Sequence, residues 1–458
     1  MLYSGSTLFS WLSEWSLLPL DQVNFLITQC VCLGAAFAFR RFLHPTKASP
    51  VLRLSVALSL GLALSYFCFG SICLVISLVY LSAIHLWRQW TDYGAYVIDI
   101  TGPLMIMTQK VTSLAFSLHD GLAKSWNDLN PGQKRYAIKK KPGVLEFFGY
   151  VLNFQGVCAG PMVFYVDYQE FVTGRNFKIK EARSEQNGVS NGSRCIPALD
   201  EKTAEPTALI AVTSKVSASL LFALGFLFLG PVFEIKHLKD DSFFEASVVY
   251  RSFYVLMATT IARWKYYVAW ILADAIANAS GLGFAGYDES GLPRWDLISN
   301  VDLYGVEVGL SFHELIASWN KGTNRWLKMT VYERVPKFRT LSTYVLSAFW
   351  HGFYPGYYLT FVGGALFTLS SRAARRSIRP FFLSCEKKKL FYDAITTVTA
   401  RLILAYITFS FVLLEFGPSI KVYKGFYFAP HIIGLGVMLL PFLLPTPRRD
   451  KGNTKKNS

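Results

Sequence analysis

Charge is scarce in this chain. Charged residues fill 17% of its 458 positions, against about 25% in ordinary soluble domains. A soluble protein of this length would bury two or three cores beneath a charged surface, and the charge for such a surface is missing. Cysteine is sparse too. The seven cysteines are odd in number and include no CxxC pair and no metal-ligand spacing with histidine. This pattern argues against a disulfide framework and a zinc site. Cys30, Cys32, Cys68, Cys73 and Cys158 sit in apolar runs and read as small buried hydrophobes. There is no P-loop for a nucleotide phosphate. Acidic residues are outnumbered, 30 to 46, which gives a net charge of +16.

What the chain does have is apolar and aromatic: 52% hydrophobic residues, 16% aromatic, and a mean hydropathy of +0.32. These values indicate an integral membrane protein. The position of the charge agrees. Residues 119–141, 321–339, 371–389 and 448–458 carry net charges of +4, +5, +6 and +4. Together they exceed the charge of the whole chain. Basic clusters beside long apolar runs follow the positive-inside pattern and put these loops on the cytosolic face. There they can attract anionic headgroups or a polyphosphate ligand. Nucleic acid is the weaker reading, because no basic-aromatic module stands apart from the membrane segments.

Residues 1–20 are apolar and aromatic without a basic leader or a small-residue cleavage site, and are expected to form an interfacial helix. The run 23–39 is uncharged and ends at Arg40-Arg41. The run 54–86 lacks Asp, Glu, Lys and Arg over 33 residues, too long for one helix across a core that about 20 residues span, so it divides near Gly70-Ser71. Residues 93–118, with Asp99, Gly102 and Pro103, suggest a broken or re-entrant segment. Further spans are expected at 147–166 and 216–233, one or two within 248–280, one run at 341–371, and others at 402–414 and 425–447. Between 173 and 206 lies a polar stretch with six basic and five acidic residues, expected to be a solvated loop. It contains the sequon at Asn191, which would be unused in a cytosolic loop. The expectation is a single all-α polytopic membrane domain over residues 1–458, with nine to eleven membrane segments. Continuous rather than alternating apolar runs exclude a β-barrel. The tail 448–458 ends Lys455-Lys456-Asn457-Ser458, which matches a dilysine address for the endoplasmic reticulum, read from the cytosol.

His351 is the sharpest signal for chemistry. It lies in Leu346-Ser-Ala-Phe-Trp-His-Gly-Phe-Tyr-Pro-Gly-Tyr-Tyr358 and is the one ionisable group, tyrosines aside, in the run 341–371. An ionisable side chain deep in an apolar segment is costly to bury and is a functional candidate by default. Away from water a histidine favours its neutral form, which can serve as a base. Pro355 cannot donate its backbone bond to the carbonyl of His351, so a helix break is expected beside the histidine. A buried histidine bonded only to a carbonyl is the plainer reading. The second element is Trp319-Asn320-Lys-Gly-Thr323-Asn324-Arg325-Trp326-Leu327-Lys328. On one continuous helix, Asn320, Thr323, Asn324 and Leu327 would share a face. An amide there could orient an imidazole or stabilise an oxyanion, or simply join membrane helices. His313 and Glu314 form a competing acid/base pair. Asp274 is expected to pair with Arg263 or Lys265 within the membrane.

Three blocks then stand out in order. They are Gly281-Leu-Gly-Phe-Ala-Gly-Tyr-Asp through Arg294-Trp-Asp-Leu-Ile-Ser-Asn300, then Trp319-Asn320-x-x-Thr323-x-x-Trp326-Leu-Lys328, and then the block around His351. From about residue 120 to 447 the chain resembles the membrane-bound O-acyltransferase (MBOAT) family. The likeness is strongest to its branch acting on lysophosphatidylethanolamine, lysophosphatidylserine and lysophosphatidylcholine. The amino-terminal 90 residues match only in hydropathy. The sterol and diacylglycerol branch carries Phe-Tyr-x-Asp-Trp-Trp-Asn where this chain has Glu314-Leu-Ile-Ala-Ser-Trp-Asn320, which disfavours neutral lipids as substrates.

The resemblance implies a helical bundle enclosing a tunnel and transfer of a fatty acyl group from acyl-CoA to a lysophospholipid in the endoplasmic reticulum membrane. His351 and Asn320 match the family's catalytic positions. Trp319, Thr323, Trp326, Trp350, Tyr354 and Tyr357 would line the substrate chamber. Lys321, Arg325 and Lys328 would hold the CoA phosphates. No metal and no cofactor beyond acyl-CoA is implied. The competing functions are a lipid transporter or scramblase in which His351 gates a polar path, and a protein O-acyltransferase.

Overall fold

The computed structural model of the chain describes residues 6–16, 18–69, 84–87, 89–90, 101–156, 158, 160–177 and 206–443. The helices run in chain order as α1 (Ser10–Ser16), α2 (Leu20–Phe42), α3 (Pro50–Phe69), α4 (Thr101–Leu122), α5 (Pro131–Tyr136), α6 (Val144–Val151), α7 (Tyr165–Val172), α8 (Leu209–Leu229) and α9 (Asp241–Glu245). They continue as α10 (Val248–Ser280), α11 (Leu303–Val308), α12 (Phe312–Ser318), α13 (Lys321–Leu327), α14 (Arg339–His351), α15 (Pro355–Ser377), α16 (Glu386–Leu413), α17 (Phe416–Gly425) and α18 (Ala429–Leu443). Among the described residues the only strands are an antiparallel pair, Gly286–Tyr287 with Pro293–Arg294.

Short helices begin where a side chain satisfies the free amides of the first turn. Asn130 accepts the Gln133 amide while the Gln133 side chain accepts the Asn130 amide, with Pro131 at the first helical position of α5. Asp302 caps α11 through the Gly305 amide, and Ser311 caps α12 through the Glu314 amide.

The chain forms two compact units. One comprises Met1–Leu221, Tyr267–Asn300 and Lys328–Thr330; the other comprises Phe222–Tyr266, Val301–Leu327 and Val331–Ser458. In the first, Phe39 packs against Phe154 and Phe171 at ring distances of 5.7 and 5.9 Å. The Arg53 guanidinium lies over both Phe39 and Phe171. Lys110 is buried and donates to the carbonyls of Tyr150 and Val151 at the end of α6. Asp274 pairs with Lys215 at 2.6 Å and accepts the Ser299 hydroxyl. The second unit is built on α15, which packs on α14, α16 and α18. Its core includes Leu238, Phe243, Tyr254, Phe312, Phe367, Tyr406, Phe409 and Tyr423. Glu307 receives both Arg263, at 3.4 Å, and Arg401, at 2.6 Å. The expected partners of Asp274 are therefore wrong. Arg263 lies eleven residues back along the same helix, about 16 Å at 1.5 Å per residue, and it pairs with Glu307 instead.

The protein is a polytopic helical membrane protein, and several expected segments differ in detail. Among the described residues, three helices are long and apolar enough to cross a membrane, α2, α8 and α16; α17 and α18, bent by 74°, add a fourth if taken as one broken span. The stretch 147–166 is two short helices, α6 and α7, not one span. Asn153 turns its amide back onto the Tyr150 carbonyl and ends α6. Of the broken or re-entrant segment expected at 93–118, residues 93–100 lie outside the described residues, and residues 101–118 belong to one uninterrupted helix with Pro103 in its first described turn. Residues 248–280 form a single helix of 33 residues. The proposed division at Gly70-Ser71, the sequon at Asn191 with most of the 173–206 loop, and the tail 448–458 with its dilysine lie outside the described residues. Helix α1 buries no residue and exposes Trp11 and Trp15.

Candidate active site around His351 and Asn320

Helix α14 ends on His351. The next residue, Gly352, has φ +116° and ψ −165°, backbone that essentially only glycine adopts. Its amide turns back onto the carbonyls of Ala348 and Phe349 and closes α14. Three residues later Pro355 opens α15, where its missing N–H costs nothing. The break expected beside the histidine is therefore present, and it leaves the imidazole at a helix end. At Gly356 a side chain would meet the Ser410 carbonyl at 2.1 Å. That bare position lets α15 approach α16 closely, and the Gly356 amide bonds the Leu414 carbonyl at 2.8 Å.

Four rings surround the half-buried imidazole. Trp350 stands 4.7 Å away, Phe411 5.0 Å edge-on, Phe361 5.1 Å and stacked at 23°, and Tyr357 5.7 Å. Tyr357 and Phe361 are one turn apart on the same face of α15. Phe411 comes from α16. Tyr354, the residue before α15, packs on Tyr357 at 5.8 Å. Trp350 also meets Trp326 of α13 at 5.7 Å, with both indoles buried. Through this pair the helix that follows Asn320 is fixed to the helix that carries His351.

Asn320 departs from the sequence expectation. It is not on the helix with Thr323, Asn324 and Leu327 but in the joint between α12 and α13, with φ +46°. Asparagine tolerates this left-handed backbone better than most residues. Its carbonyl accepts the Asn324 amide and starts α13. The Asn324 side chain donates to the carbonyls of Ile316 and Trp319, at 2.8 and 2.9 Å, and closes the end of α12. Asn324 is thus a positioning residue for the joint that presents Asn320.

The remaining sequence candidates fall in different places. Thr323 is buried within α13. Trp319 packs on Tyr266 at 5.9 Å. Lys321 and Arg325 are half-buried on α13, whereas Lys328 is exposed and belongs to the first compact unit. His313 is exposed, and the Glu314 carboxylate accepts the Leu310 amide. The structure thus offers no imidazole–carboxylate pair there. Phe361 and Phe411 were missed. Phe361 could have been found from its i, i+4 spacing to Tyr357, but nothing in the sequence points from Phe411 to His351. Among the described residues no three His, Cys, Asp or Glu side chains gather as metal ligands. The arrangement places an imidazole among aromatic rings at a helix end, a setting in which it can exchange a proton with a bound substrate group.

The model of the membrane-bound O-acyltransferase family matches residues 86–416, a span that includes both Asn320 and His351. The lysophospholipid acyltransferase 6 of Drosophila melanogaster is 46% identical over 98% of this chain and 65% of its own length, so this chain spans about two thirds of that relative. The human membrane-bound glycerophospholipid O-acyltransferase 2 is 40% identical over 99% of this chain and 91% of its own. The mouse membrane-bound glycerophospholipid O-acyltransferase 1 is 40% identical over 98% and 95%.

Proposed function

The chain belongs to the membrane-bound O-acyltransferase family, and from that premise we propose that it acylates lysophospholipids in phospholipid remodelling, with acyl-CoA as donor. Acceptors are lysophosphatidylethanolamine, lysophosphatidylserine or lysophosphatidylcholine. Transfer is direct, within one ternary complex. His351 takes the proton of the acceptor hydroxyl as its oxygen attacks the thioester carbonyl. The imidazolium then returns that proton to the departing thiolate, which leaves as CoA. Asn320 stabilises the developing oxyanion or orients the acceptor. Lys321 and Arg325 bind the CoA phosphates through charge-assisted bonds. The rings of Trp350, Tyr354 and Tyr357 keep water from the thioester and limit its hydrolysis. The enzyme works in the endoplasmic reticulum membrane with its carboxyl terminus in the cytosol, the side on which the basic loops 321–339 and 371–389 would lie.

The observation that carries this reading is the imidazole at a helix end inside four rings, within the span that the family model matches. The test is transfer of labelled oleoyl-CoA to lysophosphatidylethanolamine in microsomes. His351→Ala should abolish it at unchanged protein abundance, while His313→Ala should leave it intact. Full activity in the first variant would remove His351 as the base. Lysolipid movement without release of free CoA thiol would favour a transporter instead.

A further inference from the structure

Within the second unit, α15, α16 and α18, with residues of α10 and α12, line a cavity of about 530 Å³, a volume in the range of ligand pockets. Phe367, Ala400, Ala405, Tyr406 and Val437 make its interior apolar, and neither His351 nor Asn320 borders it. Serines and threonines line it as well, and its charged or titratable lining includes Arg375, Arg379, Tyr392 and Asp393. Both guanidiniums and the Asp393 carboxylate act electrostatically on the Tyr392 hydroxyl, so the four groups form one cluster. A further carboxylate on the wall, Glu314, is engaged by the Leu310 amide. Arg375, Arg379 and Asp393 have no ion pair and no side-chain hydrogen bond among the described residues. Arg375 is exposed and Arg379 and Asp393 are half-buried, so the apolar cavity is bordered by two cations and one anion that water reaches, and a ligand of matching charge can engage all three through charge-assisted bonds.

We propose that this cavity is a second lipid site that holds one intact zwitterionic glycerophospholipid drawn from the bilayer. The phosphate sits between Arg375 and Arg379, the ammonium group lies against Asp393, and an acyl chain runs along Phe367 and Tyr406. A singly anionic headgroup without the amine leaves Asp393 unmatched, and a fatty acid or a diacylglycerol leaves more of the charge unmatched. The lipid is not the acceptor in reaction. Arg375 stands twenty residues beyond Pro355 on α15, about 30 Å along the helix at 1.5 Å per residue. The free hydroxyl of a lysophospholipid is only a few bonds from its phosphate, so a headgroup on Arg375 cannot bring that hydroxyl to His351. The lipid site stands on its own geometry; only its distinction from the reaction centre rests on the proposed function.

The test is native mass spectrometry of the purified, delipidated full-length protein with dioleoyl phosphatidylethanolamine added. One retained lipid per chain is expected, in preference to dioleoyl phosphatidylglycerol and undisturbed by inorganic phosphate or CoA. The double change Arg375→Gln with Arg379→Gln should lower retention by at least about tenfold, since two charge-assisted contacts are lost. Asp393→Asn is nearly isosteric and should reverse the preference towards phosphatidylglycerol, while His351→Ala should retain the lipid. Three results would overturn the proposal: unchanged retention in the double variant, equal retention of the two lipids by the unaltered protein, or displacement by CoA, which would give the cavity to the acyl donor.

Discussion

Two histidines of the second unit stand in boxes of aromatic rings, and their difference is instructive. His351 has Trp350, Tyr357, Phe361 and Phe411 around it. His431 has Phe367, Tyr406, Tyr423 and Phe428 at 5.0–5.9 Å. Helices α15 and α16 contribute to both boxes, and each histidine adjoins a break between helices. At His431, Nδ1 is bonded to the Tyr406 hydroxyl at 2.9 Å, and the break beside it is made by Tyr427 and Phe428 in left-handed conformation. The break at His351 depends on Gly352, and Trp350 joins that helix to the one starting at Asn320. Aromatic enclosure alone therefore does not identify a base. The histidine proposed for chemistry is the one whose helix end is coupled to a second polar side chain on a constrained joint.

This contrast is broken most sharply by exchanging the two histidines for alanine. His351→Ala should cut acyl transfer by at least about a hundredfold, the scale of general base catalysis, whereas His431→Ala should stay within about threefold in the same microsomal assay. Equal losses would mean that both imidazoles serve packing. Next in size is Asn320→Gly, which keeps the left-handed joint but removes the amide. A fall of about a hundredfold in kcat, the scale of one oxyanion donor, is expected with little change in thermal midpoint. Asn320→Ala should lose a further about 1 kcal/mol of stability to the strained backbone. Gly352→Ala tests the break itself. Its φ should cost about 1–3 kcal/mol, seen as a lower melting temperature of the purified protein, and should lower kcat by displacing the imidazole. The smaller effect of Asn324→Ala, about tenfold in kcat at unchanged acyl-CoA KM, would mark a positioning role; rescue by Asn324→Gln would argue against the geometry described. Least of all, Tyr406→Phe should cost about 1 kcal/mol of stability and leave activity intact.

Much of the site was legible in the sequence because burial of an ionisable group is a local matter. One histidine in 31 apolar residues, with proline four positions on, implies both the break and the candidate base. The joint at Asn320 was not legible in the same way. The stretch from Trp319 to Lys328 reads as one helix, and only the capping of α12 by Asn324 shows that a helix ends before Asn320. The ion pairs of Asp274 and Arg263 were misassigned for a related reason. Charges close along one helix need not be close in register, and their partners, Lys215 and Glu307, come from elsewhere in the chain.

The sequence by itself determined the solvent of this protein, its helical class and the identity of the candidate base. Hydropathy, charge placement and proline chemistry act over a few residues and need no neighbours in space. Only the tertiary structure decided which rings close on His351, where the chain turns at Asn320, and that Arg375, Arg379 and Asp393 border one apolar cavity. Those features depend on the crossing of helices far apart along the chain, and no periodicity within a single helix encodes which side chains such a crossing brings together.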